Sequence, residues 1–172
     1  SLSRVFLSDT FFMFFNFEFI LFYIINIITV LTNKISIIMS IIVQKFGGTS
    51  VKDIKRIQYV AQTISKEIET GKKVVVVVSA MGKTTNNLIE LIESLDKNYV
   101  PHEYDVVLST GEQVSAGLLS IALNKIGITS KTLLGWQIPL LTDENFNTAK
   151  IIDIDVRLIR KKLRKIDALV IP

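Results

Sequence analysis

From Met39 to Pro172 the apolar residues fall into two alternating kinds of grouping. Short β-branched runs, at Ser40-Ile41-Ile42-Val43, Val74 to Val78, Thr129 to Leu134, Ala149 to Ile154 and Ala168 to Ile171, read as strands. Five consecutive valines are too uniformly apolar for a half-exposed strand, so Val74–Val78 is expected at the centre of a parallel sheet, covered on both faces. The run ending at Val43 is likewise expected to be a buried strand. Between the runs lie stripes at helical spacing. Ile54, Ile57, Ala61, Ile64 and Ile68 recur at intervals of 3, 4, 3 and 4, which puts them on one face of a helix that Gly71 closes with a left-handed cap. A helix is expected from about Asn86 to Leu95. After a loop around Lys97–His102 a further helical stretch is expected to break at Ser109-Thr110-Gly111-Glu112, and another helix to run from Gln113 to Ile126 and stop at Gly127. Val156, Ile159, Leu163 and Ile166 form the last amphipathic stripe. Strands alternating with helices predict a doubly wound, mainly parallel α/β sheet sandwiched between helices.

Residues 1–38 have a different character. Eight of the ten phenylalanines lie between Phe6 and Phe22, and Phe11 to Leu31 is apolar except at positions such as Asn16, Glu18 and Asn26. The run is long enough to span a bilayer, but a carboxylate near its middle is costly there. No small-residue cleavage site follows it, as a secretory presequence would require. The preferred expectation is an apolar leader outside the fold, with Met39 as the true start; a membrane anchor and a presequence stand as alternatives.

Composition removes several chemistries. The chain of 172 residues has no cysteine, so disulfide scaffolds, thiolate metal sites and thiol catalysis are excluded. The single histidine, His102, is expected in a loop beside Pro101, which disfavours a histidine metal cluster or a Ser-His-Asp triad. Twenty basic against sixteen acidic residues is a mild excess that suits an anionic small molecule as well as nucleic acid. The basic residues Arg157, Arg160, Lys161, Lys162, Arg164 and Lys165 are read as the solvated face of the last helix.

Candidate chemistry begins at Lys45-Phe46-Gly47-Gly48-Thr49-Ser50. A strand that breaks at two glycines and feeds a helix opened by Thr49 and Ser50 is a phosphate-binding geometry. The glycines allow backbone N–H groups to converge on an anion, the helix N-terminus adds partial positive charge, and Lys45 adds a full one. Ser50-Val51-Lys52-Asp53 reads as the capping box of that helix. Neither the Gly-x-x-x-x-Gly-Lys-Ser/Thr loop nor Gly-x-Gly-x-x-Gly is present. Two further segments, Ser79-Ala80-Met81-Gly82 through Thr85 and Ser109-Thr110-Gly111-Glu112, are expected at strand ends or helix starts, where open α/β sheets bind ligands.

In this order and spacing, these three segments, with Gly135-Trp136-Gln137 and the region from Thr142 to Ile151, resemble the N-terminal part of the aspartate kinases, in the amino-acid kinase superfamily. The resemblance covers essentially all of Met39–Pro172. It implies transfer of the γ-phosphoryl of ATP, with Mg²⁺, to the β-carboxylate of L-aspartate, giving 4-phospho-L-aspartate for lysine, threonine, methionine and diaminopimelate synthesis. It assigns Lys45 as the catalytic, phosphate-contacting lysine, Phe46, Gly47 and Gly48 to the nucleotide, and Ser79, Thr85 and Glu112 to aspartate; no metal ligand is assigned. It further implies a cytoplasmic enzyme, homo-oligomeric at full length, without a nucleic-acid partner. Against these roles stand plainer ones: Glu112 as a helix N-terminal charge, Ser79 and Thr85 as turn or capping residues, Trp136 as packing, and Lys83 as a loop lysine without a role. The family continues into a Gly-Phe-Gln-Gly-like loop and further domains after the equivalent of Pro172, and often has His-Gly where this chain reads Asn145-Phe146-Asn147. The chain is therefore expected to be a fragment, inactive by itself. A non-catalytic remnant and a membrane-anchored interaction protein are the alternatives from other classes; glutamate or carbamate kinase is disfavoured by the Ser-Ala-Met-Gly and Ser-Thr-Gly-Glu segments.

Overall fold

The valine run sits where its composition requires. In the computed structural model, which describes residues 39–172, strand β2 (Lys73–Val78) pairs in parallel with β1 (Ile41–Phe46) on one side and β6 (Ala168–Ile171) on the other. The leader, anchor and presequence readings of residues 1–38 lie outside the described residues. Strand β3 (Ser130–Thr132) adds in parallel to β6, giving the order β1-β2-β6-β3. Alternate valines feed opposite faces. Val74, Val76 and Val78 pack with Ile57, Ala61 and Ile64 and with Ala116, Leu119 and Leu123, while Val75 packs with Leu163, Leu169 and Ile138. This two-sided burial is what a continuous β-branched run provides and a half-exposed strand could not use.

The first face is covered by α1 (Ile54–Glu69) and by α3 (Pro101–Lys125), the second by α4 (Val156–Leu163). Helix α2 (Thr84–Leu95) precedes α3 and packs on it. The buried stripe of α1 is Ile57, Val60, Ala61 and Ile64, whereas Ile54 is exposed. Gly71 closes this helix at φ +85° as expected. By length and composition α3 could cross a membrane, but Gly111, Ser115, Ala116, Leu119, Ser120 and Leu123 are buried on it, so it is a core helix. Its partner β3 is held by side chains. Ser120 and Ser130 share a buried hydroxyl bond of 3.0 Å, and Asn124 both receives from the Ser130 N–H and donates to its carbonyl.

Several expectations are corrected. Strand β1 is at the edge of this sheet, and Val43 is exposed rather than buried. Helix α1 opens at Ile54, not at Thr49 or Ser50. Its N-cap is Asp53, whose side chain accepts from the Arg56 N–H at 2.8 Å, and residues 48–53 are turn and bend. The box centred on Ser50 is therefore one turn too early. Helix α3 runs unbroken through Ser109-Thr110-Gly111-Glu112, and His102 sits in its first turn behind Pro101. Finally, β5 (Ile151–Ile154) does not join the parallel sheet: it pairs antiparallel with β4 (Leu140–Thr142) in a separate two-stranded ribbon.

Candidate functional site

Because the four sheet strands are parallel, their carboxyl ends share one edge, and the segments singled out in the sequence gather there. Phe46 is the last residue of β1. Its carbonyl accepts from the Ser79 N–H at 3.1 Å, continuing the ladder one step past β2. The chain then turns, with the Ser50 N–H donating to the Gly47 carbonyl at 2.8 Å, and the Gly82 N–H donates to the Gly48 carbonyl at 3.1 Å. The two loops are thus sewn together by backbone. Neither Gly47 nor Gly48 has positive φ, so the pair is not there for a left-handed turn. At Gly48 the reason is space: a Cβ would lie 2.8 Å from the Ala80 carbonyl oxygen. At Gly47 a Cβ would meet nothing within 4 Å, so its bareness leaves the turn open on that side. Among the described residues none accepts a hydrogen bond from the N–H groups of Gly47, Gly48 or Thr49. Unspent N–H groups in succession are what an anion-binding turn presents.

Helix α3 supplies the third wall. A Cβ on Gly111 would lie 3.0 Å from the Ala80 Cβ and 3.4 Å from both Leu88 Cδ1 and Thr84 Cγ2. Glycine inside a helix is unfavourable by about 1 kcal/mol against alanine, and here it is the residue that lets α3 approach the loop after β2 and the start of α2. The next residue, Glu112, reaches back to that loop, its Oε1 accepting from the Ala80 N–H at 3.3 Å. Ala80 itself is 3% exposed.

The expected site residues are distributed as follows. Lys45 lies on β1 opposite Val77 with its side chain exposed, and Gly47 and Gly48 form the turn. Phe46 packs its ring against the core face rather than toward the turn, so only its backbone belongs to the site. Ser79 follows β2 and is half-buried. Thr85 is in the first turn of α2, half-buried, not in a loop. Among the described residues neither hydroxyl makes a side-chain hydrogen bond; the capping contact here is made by Thr84, whose Oγ1 donates to the Met81 carbonyl at 2.7 Å. Glu112 is a mid-helix carboxylate and not a helix N-terminal charge. Since α1 begins at Ile54, its positive end is not at the glycine pair; the N–H groups of the turn and Lys45 are what an anion would meet.

Glu112 also lines a groove of about 580 Å³, bounded by the first half of α3, the 3₁₀ turn Gly135–Gln137, the loop after β4 and Pro172. Of the groove residues, Ser109 belongs to the Ser109-Thr110-Gly111-Glu112 segment singled out in the sequence, whereas Asp105 and Gln113 were not anticipated. Asp105, Ser109 and Gln113 share a face of α3 with Glu112, and Gln113 Nε2 donates to Ser109 Oγ at 3.2 Å. Their spacing of four is visible in the sequence, but only if the helix is not broken at Gly111. Trp136, expected as packing, is 72% exposed on the groove wall. The loop opposite is folded by Asp143, which accepts from the Lys150 N–H at 2.9 Å and from Asn145 Nδ2 at 3.0 Å; these bonds, with that from the Asn145 N–H, hold its carboxyl below the usual carboxylate range against slight desolvation. Asn147 then adopts φ +63° and gives its N–H to Asp105 Oδ2 at 3.0 Å, while Phe146 meets His102 edge-on at 5.3 Å. Among the described residues no group of three or more acidic, histidine or cysteine side chains is arranged to hold a metal ion.

Comparison with known proteins places this geometry in context. The model of the amino acid kinase family matches residues 40–172. An aspartokinase of Geobacillus stearothermophilus is 49% identical over 125 residues, which cover 73% of this chain and 31% of that protein. Among solved structures, aspartate kinase from Synechocystis superposes with a TM-score of 0.66 at 40% identity, covering 77% of this chain and 21% of that one. Escherichia coli aspartokinase III, solved with aspartate and ADP, shares the fold at a TM-score of 0.64 and 17% identity, covering 77% of this chain and 40% of that one. The chain spans about a third of the length of the curated relatives it matches.

Proposed function

This chain belongs to the amino acid kinase family, and from that premise we propose that it forms the acceptor-side wall of an aspartate kinase site, where the γ-phosphoryl of ATP passes to the β-carboxylate of L-aspartate. The observation that carries the reading is the convergence on Ala80 of the glycine turn, the loop after β2 and Glu112. An anion-accepting turn and a carboxylate are thereby held on two sides of one loop.

Each end suits one part of the reaction. The N–H groups of Gly47, Gly48 and Thr49 and the Lys45 ammonium match the phosphates of ATP. Glu112 has the sign to pair with the aspartate ammonium, and the Ser79 and Thr85 hydroxyls can donate to a carboxylate. The nucleophile needs no base. An aspartate carboxylate has a pKa near 4, so it is ionised at neutral pH. Its oxygen forms a bond to the γ-phosphorus as the bond to the bridging oxygen breaks, and ADP departs with that electron pair. What the protein must supply is alignment of two anions and neutralisation of their charge, and Lys45 and the turn do both. Mg²⁺ accompanies the nucleotide as its phosphate chelate; the described residues offer no carboxylate set for it, and no step is assigned to it. The reading implies a cytoplasmic reaction on free aspartate.

The test uses the polypeptide as it occurs in its own cell. Its purified form should release ADP from ATP in an L-aspartate-dependent way and yield a hydroxamate when hydroxylamine traps the acyl phosphate. ADP release that is indifferent to aspartate, or that requires glutamate or carbamate instead, overturns the proposal.

A further inference from the structure

Two of the three motif segments touch one small residue of the third. The Ala80 carbonyl fills the space that a side chain on Gly48 would need, its methyl fills the space that a side chain on Gly111 would need, and its N–H is held by Glu112. Its 3% exposure leaves no slack around it. Both glycines are therefore explained by the same neighbour, one approached from β1 and the other from α3. We propose that Ala80 is a positioning residue: it sets the spacing between the phosphate turn at Gly47–Gly48 and the Glu112 carboxylate that receives the amino group of the acceptor.

The inference rests on the aspartate kinase reading for what the two ends bind, but its geometry makes separate demands. The Gly48 contact is with a backbone oxygen, which every residue at position 80 retains. The Gly111 contact at 3.0 Å is with the Ala80 methyl, which only glycine at position 80 removes. Gly111→Ala pushes the loop off α3 and draws the Ala80 N–H from Glu112, so it disturbs the acceptor end. Gly48→Ala pushes the same loop from the other side and disturbs the phosphate turn. Alanine is the better helix former, so Gly111→Ala does not weaken α3 as a helix. Misplacement by a fraction of an ångström is enough to cost a reacting pair its alignment.

The experiment measures initial rates against both substrates, with thermal midpoints, for the polypeptide as it occurs in its cell and for Gly111→Ala, Gly48→Ala and each combined with Ala80→Gly. Gly111→Ala is expected to raise KM for aspartate about tenfold and to leave KM for ATP within about twofold. Adding Ala80→Gly restores it. Gly48→Ala raises KM for ATP instead, and Ala80→Gly does not restore it. A substrate-selective change of KM cannot come from a smaller folded fraction, which lowers the maximal rate alone. An unchanged KM for aspartate in Gly111→Ala, failure of Ala80→Gly to restore it, or equal rescue of both glycine variants overturns the inference. Should Gly111→Ala not accumulate, Ala80→Gly alone is informative: loosening the junction raises KM for aspartate about threefold, and no change overturns the proposal. Wild-type protein without aspartate-dependent turnover overturns the kinase reading itself, and this is seen before any variant is made.

Discussion

Under the proposed function Glu112 carries two separable tasks, and two substitutions divide them. Its Oε1 receives the Ala80 N–H at 3.3 Å, and the acceptor ammonium is assigned to the same carboxylate. Glu112→Ala leaves a buried N–H without a protein acceptor. The bond is long, so the cost falls at the low end of the usual range, about 1 kcal/mol, and the thermal midpoint of a domain of this size drops by roughly 3–4 °C. Glu112→Gln keeps an oxygen at that position, and its midpoint should stay within about 1 °C of wild type. Both variants lose the charge. A hydrogen bond to a charged group contributes about 1.5–3 kcal/mol, so aspartate binding should weaken roughly 10- to 100-fold in each. Stability is read by circular dichroism on heating. Binding is read from the fluorescence of Trp136, the single tryptophan of the chain, which lines the same groove as Glu112. Equal destabilisation by alanine and glutamine would show that the Ala80 bond is not what Glu112 contributes to the fold. Full retention of aspartate affinity by Glu112→Gln would remove it as the ammonium anchor.

Two further predictions concern parts of the fold away from these contacts. Asp167 joins the start of three strands, accepting from Lys73 Nζ at 2.8 Å, from the Thr129 N–H at 3.1 Å and from the Thr129 hydroxyl. Desolvation opposes its ionisation, but Lys73 and Thr129 outweigh it, and its carboxyl is held below the ordinary value of 3.8. A depressed carboxyl stabilises the fold above its unfolded pKa and loses that contribution as pH falls through the folded one. Asp167→Asn should therefore unfold about 1–2 kcal/mol more easily than wild type in urea at pH 7, with the difference shrinking below about pH 4; an equal difference at pH 7 and pH 3 would sink this account. At Asn147 the backbone is left-handed, φ +63°, which a β-branched side chain resists. Asn147→Val should cost about 1–2 kcal/mol and Asn147→Gly no more than about 0.5 kcal/mol, measured as thermal midpoints, and the reverse order would contradict the observed turn.

What could be read along the chain was what local periodicity and composition control. Five valines in a row define a central strand because alternate residues feed both faces of the sheet, where Val74, Val75, Val76 and Val78 are buried and Val77 half-buried. The stripe from Ile57 to Ile64 defines a helix face because burial repeats every 3.6 residues. The order and spacing of the glycine turn, the loop after β2 and the Ser-Thr-Gly-Glu segment were legible as motifs, and it was their resemblance to a known family, not periodicity, that pointed to the family. The errors share a cause of the opposite kind. Gly111 looked like a helix break because glycine is a poor helix former; it is inside a helix because Ala80, distant in sequence, occupies the space its side chain would take. Placing the break at Ser109–Glu112 separated Asp105 from Gln113 and hid the groove face of α3. Ser50 and Asp53 are both competent caps, and only the path of the chain out of β1, tied to Gly82, selects Asp53. The run at β5 has strand composition, but whether it extends the parallel sheet or folds onto β4 depends on pairing partners that composition does not encode. Periodicity is a property of neighbours along the chain and survives in one dimension. Close approach, pairing and exposure are properties of neighbours in space, and those only the tertiary structure decided.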